Sequence, residues 1–256
     1  MRLRFAGVMC LLVLCGAMAG LAQADGSANG QHDAEIRSEV ARTLRHRRFR
    51  GVQASVHDGI VTLTGTVQVY SVKADASLRV RRRKNVRGVE NLIEVVGPPV
   101  DDETLRNRLA EKIAYDRVGY GTTAFNAFTI GVKRGVVTLG GVAYGPVDKE
   151  SVVSLVSNYP GVKDVVDQIA IAPLSPADDR IRLAEARAIY GAPQLSRYAI
   201  DPAKPIRITV IQGNVTLTGL VDSQSDKEVA YARATSVSGV FKVTNLLQVA
   251  GPAREK

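Results

Sequence analysis

Gly59-Ile60-Val61-Thr62-Leu63-Thr64-Gly65 returns as Gly135-Val136-Val137-Thr138-Leu139-Gly140-Gly141, and again as Gly213-Asn214-Val215-Thr216-Leu217-Thr218-Gly219. Five of the seven positions are identical in all three stretches, and the leading glycines stand 76 and 78 residues apart. A self-match of this quality marks a repeat, and it overrides the one or two domains that a length of 256 residues would otherwise imply. His57-Asp58-Gly59, Lys133-Arg134-Gly135 and Ile211-Gln212-Gly213 read as hairpin turns, because glycine takes a positive φ at no steric cost. The Val-Thr-Leu run is then the second strand of each hairpin, expected to end near Gly65, Gly141 and Gly219.

Working outward, apolar residues alternate before each turn: Val52, Ala54, Val56; then Phe128, Ile130, Val132; then Ile206, Ile208, Val210. A period of two places each set on one sheet face. Further upstream, Ile36, Val40, Leu44 and Leu105, Leu109, Ile113 mark a helix face at spacing four, while the third copy shows a weaker face of Ile181, Ala184 and Ala188. Downstream, Lys73, Lys149 and Lys227 stand near the start of a second helical pattern. Asn85, Gly161 and Gly239 suit the left-handed residue that follows a helix, and Asn91, Asp167 and Asn245 precede a last strand-like run. The expected fold is α+β: three tandem α-β-β-α-β modules, each a small mixed three-stranded sheet with two helices on one face and a right-handed β-α-β crossover.

The copies span residues 33–98, 101–173 and 177–250. Copy three alone carries an insertion, residues 190–205, whose Gly191, Pro193, Pro202 and Pro205 read as a loop. Modules this small are marginal without disulfides, so packing between neighbouring copies is expected to help.

At the N-terminus Arg2 and Arg4 precede an apolar run, residues 5–22, and then Ala22-Gln23-Ala24. This reads as a secretory signal peptide, residues 1–24, cleaved after Ala24; the length of the apolar run keeps a retained anchor open as the alternative. Cys10 and Cys15 both lie inside it, so the mature chain has no disulfide and no cysteine metal ligand. Met9 and Leu14 precede them, where lipidation requires a small residue.

The grid of Gly59, Val61, Leu63, Gly65, Val86, Val89 and Asn91, with its counterparts in the other copies, resembles the BON domain family of bacterial envelope proteins. The resemblance covers nearly all of residues 33–250. It implies the α-β-β-α-β fold, export to the periplasm, and binding to phospholipid membranes, as in osmotically inducible and outer-membrane-maintenance proteins. Asp167 replaces the Asn of the other copies, and Asn85 stands where the family usually has glycine. The repeated glycines, Gly59, Gly65, Gly135, Gly141, Gly213 and Gly219, are scaffold and locate no ligand.

No catalytic set can be assembled. His32, His46 and His57 all belong to the first copy or its leader, His46 sits among arginines, and His57-Asp58 falls at a turn. Thr62, Thr138 and Thr216 are at home in strands and have no recurring base beside them. The Gly-x₅-Gly spacing lacks the Lys-Ser/Thr ending of a phosphate loop. Asp101, Asp102, Glu103, Asp178 and Asp179 read as helix-capping residues rather than calcium ligands. The expectation is a non-enzyme with no cofactor and no metal.

Charge sets the copies apart. Without Arg2 and Arg4 the chain holds 32 basic and 25 acidic residues. Copy one carries 13 basic against 7 acidic residues, whereas residues 99–173 carry 8 against 9. Two clusters account for the excess: Arg45, Arg47, Arg48 and Arg50 at the end of the first helix, and Arg79, Arg81, Arg82, Arg83, Lys84 and Arg87 at the end of the second. Cations there favour the helix dipole, but like charges four apart, such as Arg79 and Arg83, repel. The stem of Arg83 is expected to cover core while its head reaches outward. An anionic phospholipid membrane surface is the expected partner, docking by Arg79, Arg81, Arg82, Arg83, Lys84 and Arg87 with Arg45, Arg47 and Arg48. Nucleic acid is disfavoured by export and by the lack of an aromatic stacking platform beside the arginines. The alternative is an interaction or chaperone-like module for envelope proteins, which apolar exposure around Tyr159, Tyr231 or Phe241 would favour.

Overall fold

The computed structural model describes residues 23–116, 122–201 and 204–251. The apolar leader and both cysteines lie outside the described residues. The described residues form two compact units, one of those up to Thr64 with Ser77–Leu92, the other of Gly65–Ala76 with those from Ile93 onward.

The expected module is built three times. Copy one runs α1 (Gln23–Leu44), β1 (Val52–His57), β2 (Ile60–Val67), α2 (Tyr70–Arg81), β3 (Gly88–Asn91) and β4 (Glu94–Val95). Copy two runs α3 (Asp102–Asp116), β5 (Ala127–Lys133), β6 (Val136–Ala143), α4 (Pro146–Ser157), β7 (Asp164–Asp167) and β8 (Ala170–Ile171). Copy three runs α5 (Pro176–Tyr190), α6 (Arg197–Ile200), β9 (Arg207–Ile211), β10 (Asn214–Thr218), β11 (Leu220–Val221), α7 (Gln224–Thr235), β12 (Lys242–Asn245) and β13 (Gln248–Val249). The Val-Thr-Leu strand is central each time: it pairs antiparallel with its hairpin partner in β5–β6 and β9–β10, and parallel with the strand after the crossover helix in all three copies. Its valine and leucine point into the core, where Val61, Leu63, Val137, Leu139, Val215 and Leu217 are fully buried.

Two details depart from the expected three-strand plan. The central strand does not stop at the second glycine: β2 and β6 continue two residues beyond it, and only at Gly219 (φ +129°) does the strand break into β10 and β11. Gly141 is required by close approach, since a Cβ there would meet the Ala127 carbonyl oxygen at 1.9 Å. The last strand is split because a side chain interrupts its ladder. Asp167 Oδ1 accepts the Ile169 amide and Asn245 Oδ1 accepts the Leu247 amide, an Asx-type turn that redirects the chain. The recurring lysine belongs to the same corner in copy two, where Lys149 Nζ reaches Asp167 at 3.0 Å and donates to the Ile169 carbonyl.

The hairpins turn through two residues of positive φ, Asp58-Gly59, Arg134-Gly135 and Gln212-Gly213, the geometry of a type I′ turn. Left-handed Arg134 and Gln212 each carry a cost of about 1 kcal/mol. An acidic residue from the first helix offsets it. Asp33, Asp102 and Asp178 each hold both turn amides, at 2.6–2.9 Å. Asp102 and Asp178, read from the sequence as caps, thus reach across the module; Asp101 caps α3 through the Thr104 amide, and Ser175 caps α5.

Counting from that aspartate aligns the first helices: Ile36, Leu105 and Ile181, then Val40, Leu109 and Glu185, then Leu44, Ile113 and Ile189. The buried face of α5 is therefore Ile181, Glu185 and Ile189, and the expected Ala184 and Ala188 stand only half-buried beside it. Glu185 is fully buried, neither carboxylate oxygen has a hydrogen-bond partner among the described residues, and burial pushes its carboxyl up to about 8.

The insertion 190–205 is ordered where it is described. Leu195, just before α6, and Tyr198 within it are three residues apart, and both are buried. The Tyr198 hydroxyl donates to Asp226 at 2.8 Å, and Gln194 and Arg197 bond the same carboxylate. Burial acts to raise the Asp226 carboxyl, but these bonds, that of Ser223 and the Arg197 charge hold it below the usual range.

Copies two and three share apolar packing. Phe125, from a 3₁₀ turn before β5, lies in the copy-three core beside partly buried Tyr144. Arg207 on β9 donates to the Thr123 carbonyl, and the buried Arg182 guanidinium lies 5.2 Å from the Tyr144 ring centre.

Candidate functional site

The two arginine clusters of copy one meet around one ring. Phe49 closes the 3₁₀ turn Arg47–Phe49 that follows α1, and it is 1% exposed. The Arg48 guanidinium lies 5.5 Å from its centre and that of Arg79, from the last turn of α2, lies 5.8 Å away. A cation over an aromatic face is held by the ring quadrupole, worth about 0.5–1 kcal/mol at exposed sites, so residues thirty positions apart become one surface. The sequence pattern does not by itself single out Phe49 as the residue that joins them. The signal it does hold is Arg47-Arg48-Phe49-Arg50 itself. With its ring buried, Phe49 organises cations and leaves no open platform for a base.

Each predicted cation has a definite place. Arg45, Arg47, Arg48, Arg79, Arg81, Arg82, Lys84 and Arg87 are exposed, and Arg83 is half-buried, with its Nε donating to the Arg79 carbonyl. Helix α1 ends at Leu44 and α2 at Arg81, so Arg45, Arg47, Arg48, Arg82, Arg83 and Lys84 all lie past a helix terminus. The dipole and the free carbonyls of the last turn engage Arg79, Arg81 and Arg83, but residues further past the ends, such as Arg47, Arg48 and Lys84, are not accounted for that way. Among the described residues no ion pair neutralises Arg45, Arg47, Arg81, Arg82 or Lys84. Leu78, 49% exposed, stands one helical turn before Arg81 and adds an apolar element to the cationic face. Arg87 has a different role: its side chain covers Gly59 and its Nη1 donates to the Asp58 carbonyl, across the hairpin turn.

This surface concentrates positive charge on copy one. Among the described residues no group of three or more His, Cys, Asp or Glu side chains is placed to hold a metal ion, and no helix is long and apolar enough to cross a membrane.

The description of the BON domain matches residues 32–97, 101–173 and 194–251. The chain belongs to the BON domain family. The third match begins inside the insertion, yet α5 holds the Gln212-Gly213 turn through Asp178 as its counterparts do, so the BON copy extends structurally back to α5. Osmotically-inducible protein Y of Escherichia coli is 24% identical over 194 residues, which cover 73% of this chain and 92% of that protein. Among solved structures, the C-terminal domain of CdsD, a structural protein of the type III secretion system of Chlamydia trachomatis, is 12% identical with a TM-score of 0.24, covering 85% of this chain and 98% of that one. The periplasmic domain of the type III secretion inner-membrane protein PrgH from S. typhimurium is 10% identical with a TM-score of 0.18, covering 82% and 99%. Similarity at that level carries no argument about this BON protein.

Within the BON frame the three copies are not equivalent. Only copy one concentrates cations at its helix ends; the positions of Arg83 are Tyr159 in copy two and Val237 in copy three.

Proposed function

We propose that this BON protein is a non-catalytic periplasmic protein whose first copy docks on anionic phospholipid membrane surfaces, in envelope maintenance or the response to osmotic stress. The observation that carries this reading is the joining of the two arginine clusters around Phe49, with Arg45, Arg47, Arg81, Arg82 and Lys84 left without ion pairs among the described residues. Each basic side chain near an anionic bilayer contributes about 1 kcal/mol, decaying over a Debye length of about 8 Å, so several together give reversible docking. Cations with no carboxylate partner lose none on docking. The secretory leader and the osmotic induction named for the Escherichia coli relative support the location and the setting.

Flotation with phosphatidylglycerol or cardiolipin vesicles tests the proposal. Binding is expected at low salt, weakening as salt rises, and falling when Arg81, Arg82 and Arg83 are changed to glutamine. No association at low salt, or association indifferent to those substitutions, overturns it.

A further inference from the structure

The three copies differ at a second surface, where the residue just after the crossover helix meets the start of the first helix. In copy two this place is filled. The linker 97–100, Gly-Pro-Pro-Val, lies on it: Gly97 sits against the Gly161 backbone, and the Val100 side chain lies 3.2 Å from where a Gly161 Cβ would stand, beside Leu105. Gly161 is buried as a result. In copy three the corresponding Gly239 is exposed and faces only the Ile181 side chain, and a groove of about 600 Å³ opens between α5 and the turn after α7. Copy one has a smaller open groove of about 270 Å³, where Ile36 is bordered by the charged or titratable His32, Asp33, Asp58 and Arg87.

The copy-three groove is apolar where its counterparts are charged. Phe241 covers the hairpin Gly213 at the position held by Arg87 and Lys163, and it is 84% exposed. Ala177, Ile181, Ala184 and Gly239 complete the apolar lining. The two charged residues divide the work: the Asp178 carboxylate is committed to the Gln212 and Gly213 amides, while Arg180 at the rim is exposed and without an ion pair among the described residues. The rim is thus positive over an apolar floor.

We infer that the third-copy groove binds an extended, proline-bearing segment of a partner protein that presents one β-branched aliphatic side chain followed by carboxylates. The chain itself shows the mode of recognition: the Val100 side chain rests on the glycine of copy two, two prolines restrict the approach, and Asp101 and Asp102 follow. A restricted segment loses little entropy on binding, an exposed aromatic supplies the anchor, and Arg180 complements the acidic end. The inference does not rest on the membrane reading, which concerns copy one.

The test uses the intact mature chain and a fluorescein-labelled octapeptide of residues 96–103, Val-Gly-Pro-Pro-Val-Asp-Asp-Glu, followed by fluorescence anisotropy. Saturable binding is expected, weakened about tenfold by Phe241→Ala, as truncating an aromatic anchor does, and abolished by Ala184→Arg, which fills the groove. Circular dichroism verifies that both variants fold. A peptide carrying Val100→Asp should not bind, and Arg81→Gln with Arg82→Gln should leave binding unchanged. Absence of saturable binding, or binding by both groove variants as tight as by wild type, overturns the inference. So does a result in which the peptide fails to bind while Phe241→Ala reduces association with neutral phosphatidylcholine vesicles, which assigns the groove to a membrane.

Discussion

The carboxylate of Asp178 accepts the backbone N–H of Gly213 at 2.8 Å across 35 residues of sequence, and its other oxygen takes the Gln212 amide at 2.9 Å. Asp33 and Asp102 do the same for their own hairpins. One side chain thereby ties the first helix to the turn that sets the register of the central strand.

Removing the tie should be costly. Hydrogen bonds to a charged group are worth about 1.5–3 kcal/mol each, and the freed amides belong to a turn in left-handed backbone. Asp178→Ala is expected to destabilise the unit holding copies two and three by about 3 kcal/mol, and Asp178→Asn by less, since one acceptor survives. Urea unfolding with an unchanged m-value measures it; a loss below about 0.5 kcal/mol contradicts the assignment.

Glu185 makes the same unit sensitive to pH. Its carboxyl is raised from an ordinary 4.5 to about 8 by burial, with no hydrogen-bond partner among the described residues. The folded state therefore holds a proton that the unfolded chain releases, and the stabilising contribution is complete below pH 4.5 and lost as pH rises toward 8. The slope approaches about 1.4 kcal/mol per pH unit within that window. Glu185→Leu, which installs the residue of copy two, should flatten the dependence and raise stability most at pH 8. Parallel pH profiles for wild type and variant would count against this reading.

These two residues also show how far the sequence could be read. Turn glycines, alternating strands and left-handed helix ends are local signals, and each recurs where Gly59, Gly135 and Gly213 place it. The aspartate tie spans 25 to 35 residues, and nothing local separates Asp178 from a cap. Glu185 occupies a core position that an apolar pattern passes over, so the α5 face shifted to Ala184 and Ala188. The insertion read as a loop from its prolines, although Leu195 and Tyr198 carried a helical spacing. The basic residues were legible as composition, but their union needed Phe49, whose partner Arg79 is remote in sequence.

Phe125 belongs to copy two by position and to copy three by packing. Truncating a large buried aromatic costs about 3–5 kcal/mol. Phe125→Ala should therefore weaken protection of the β9 and α5 amides as well as those of β5, because its ring fills the copy-three core. Hydrogen exchange resolves the two. Loss confined to copy two would show that the copies unfold independently.

The cations of copy one divide by what holds them, and so should the consequences of removing them. Arg81, Arg82 and Lys84 are exposed and form no ion pair among the described residues, so neutralising them should leave stability within about 0.5 kcal/mol. Each substitution should nevertheless weaken binding to anionic vesicles about fivefold, the equivalent of about 1 kcal/mol, and should reduce the salt dependence. Arg79→Gln differs because its guanidinium also rests on Phe49, and it should lower both vesicle affinity and the unfolding midpoint. Arg187→Gln on copy three controls for net charge alone. If that control weakens vesicle binding as much as Arg82→Gln, attraction is spread over the chain and the surface around Phe49 has no special part in it.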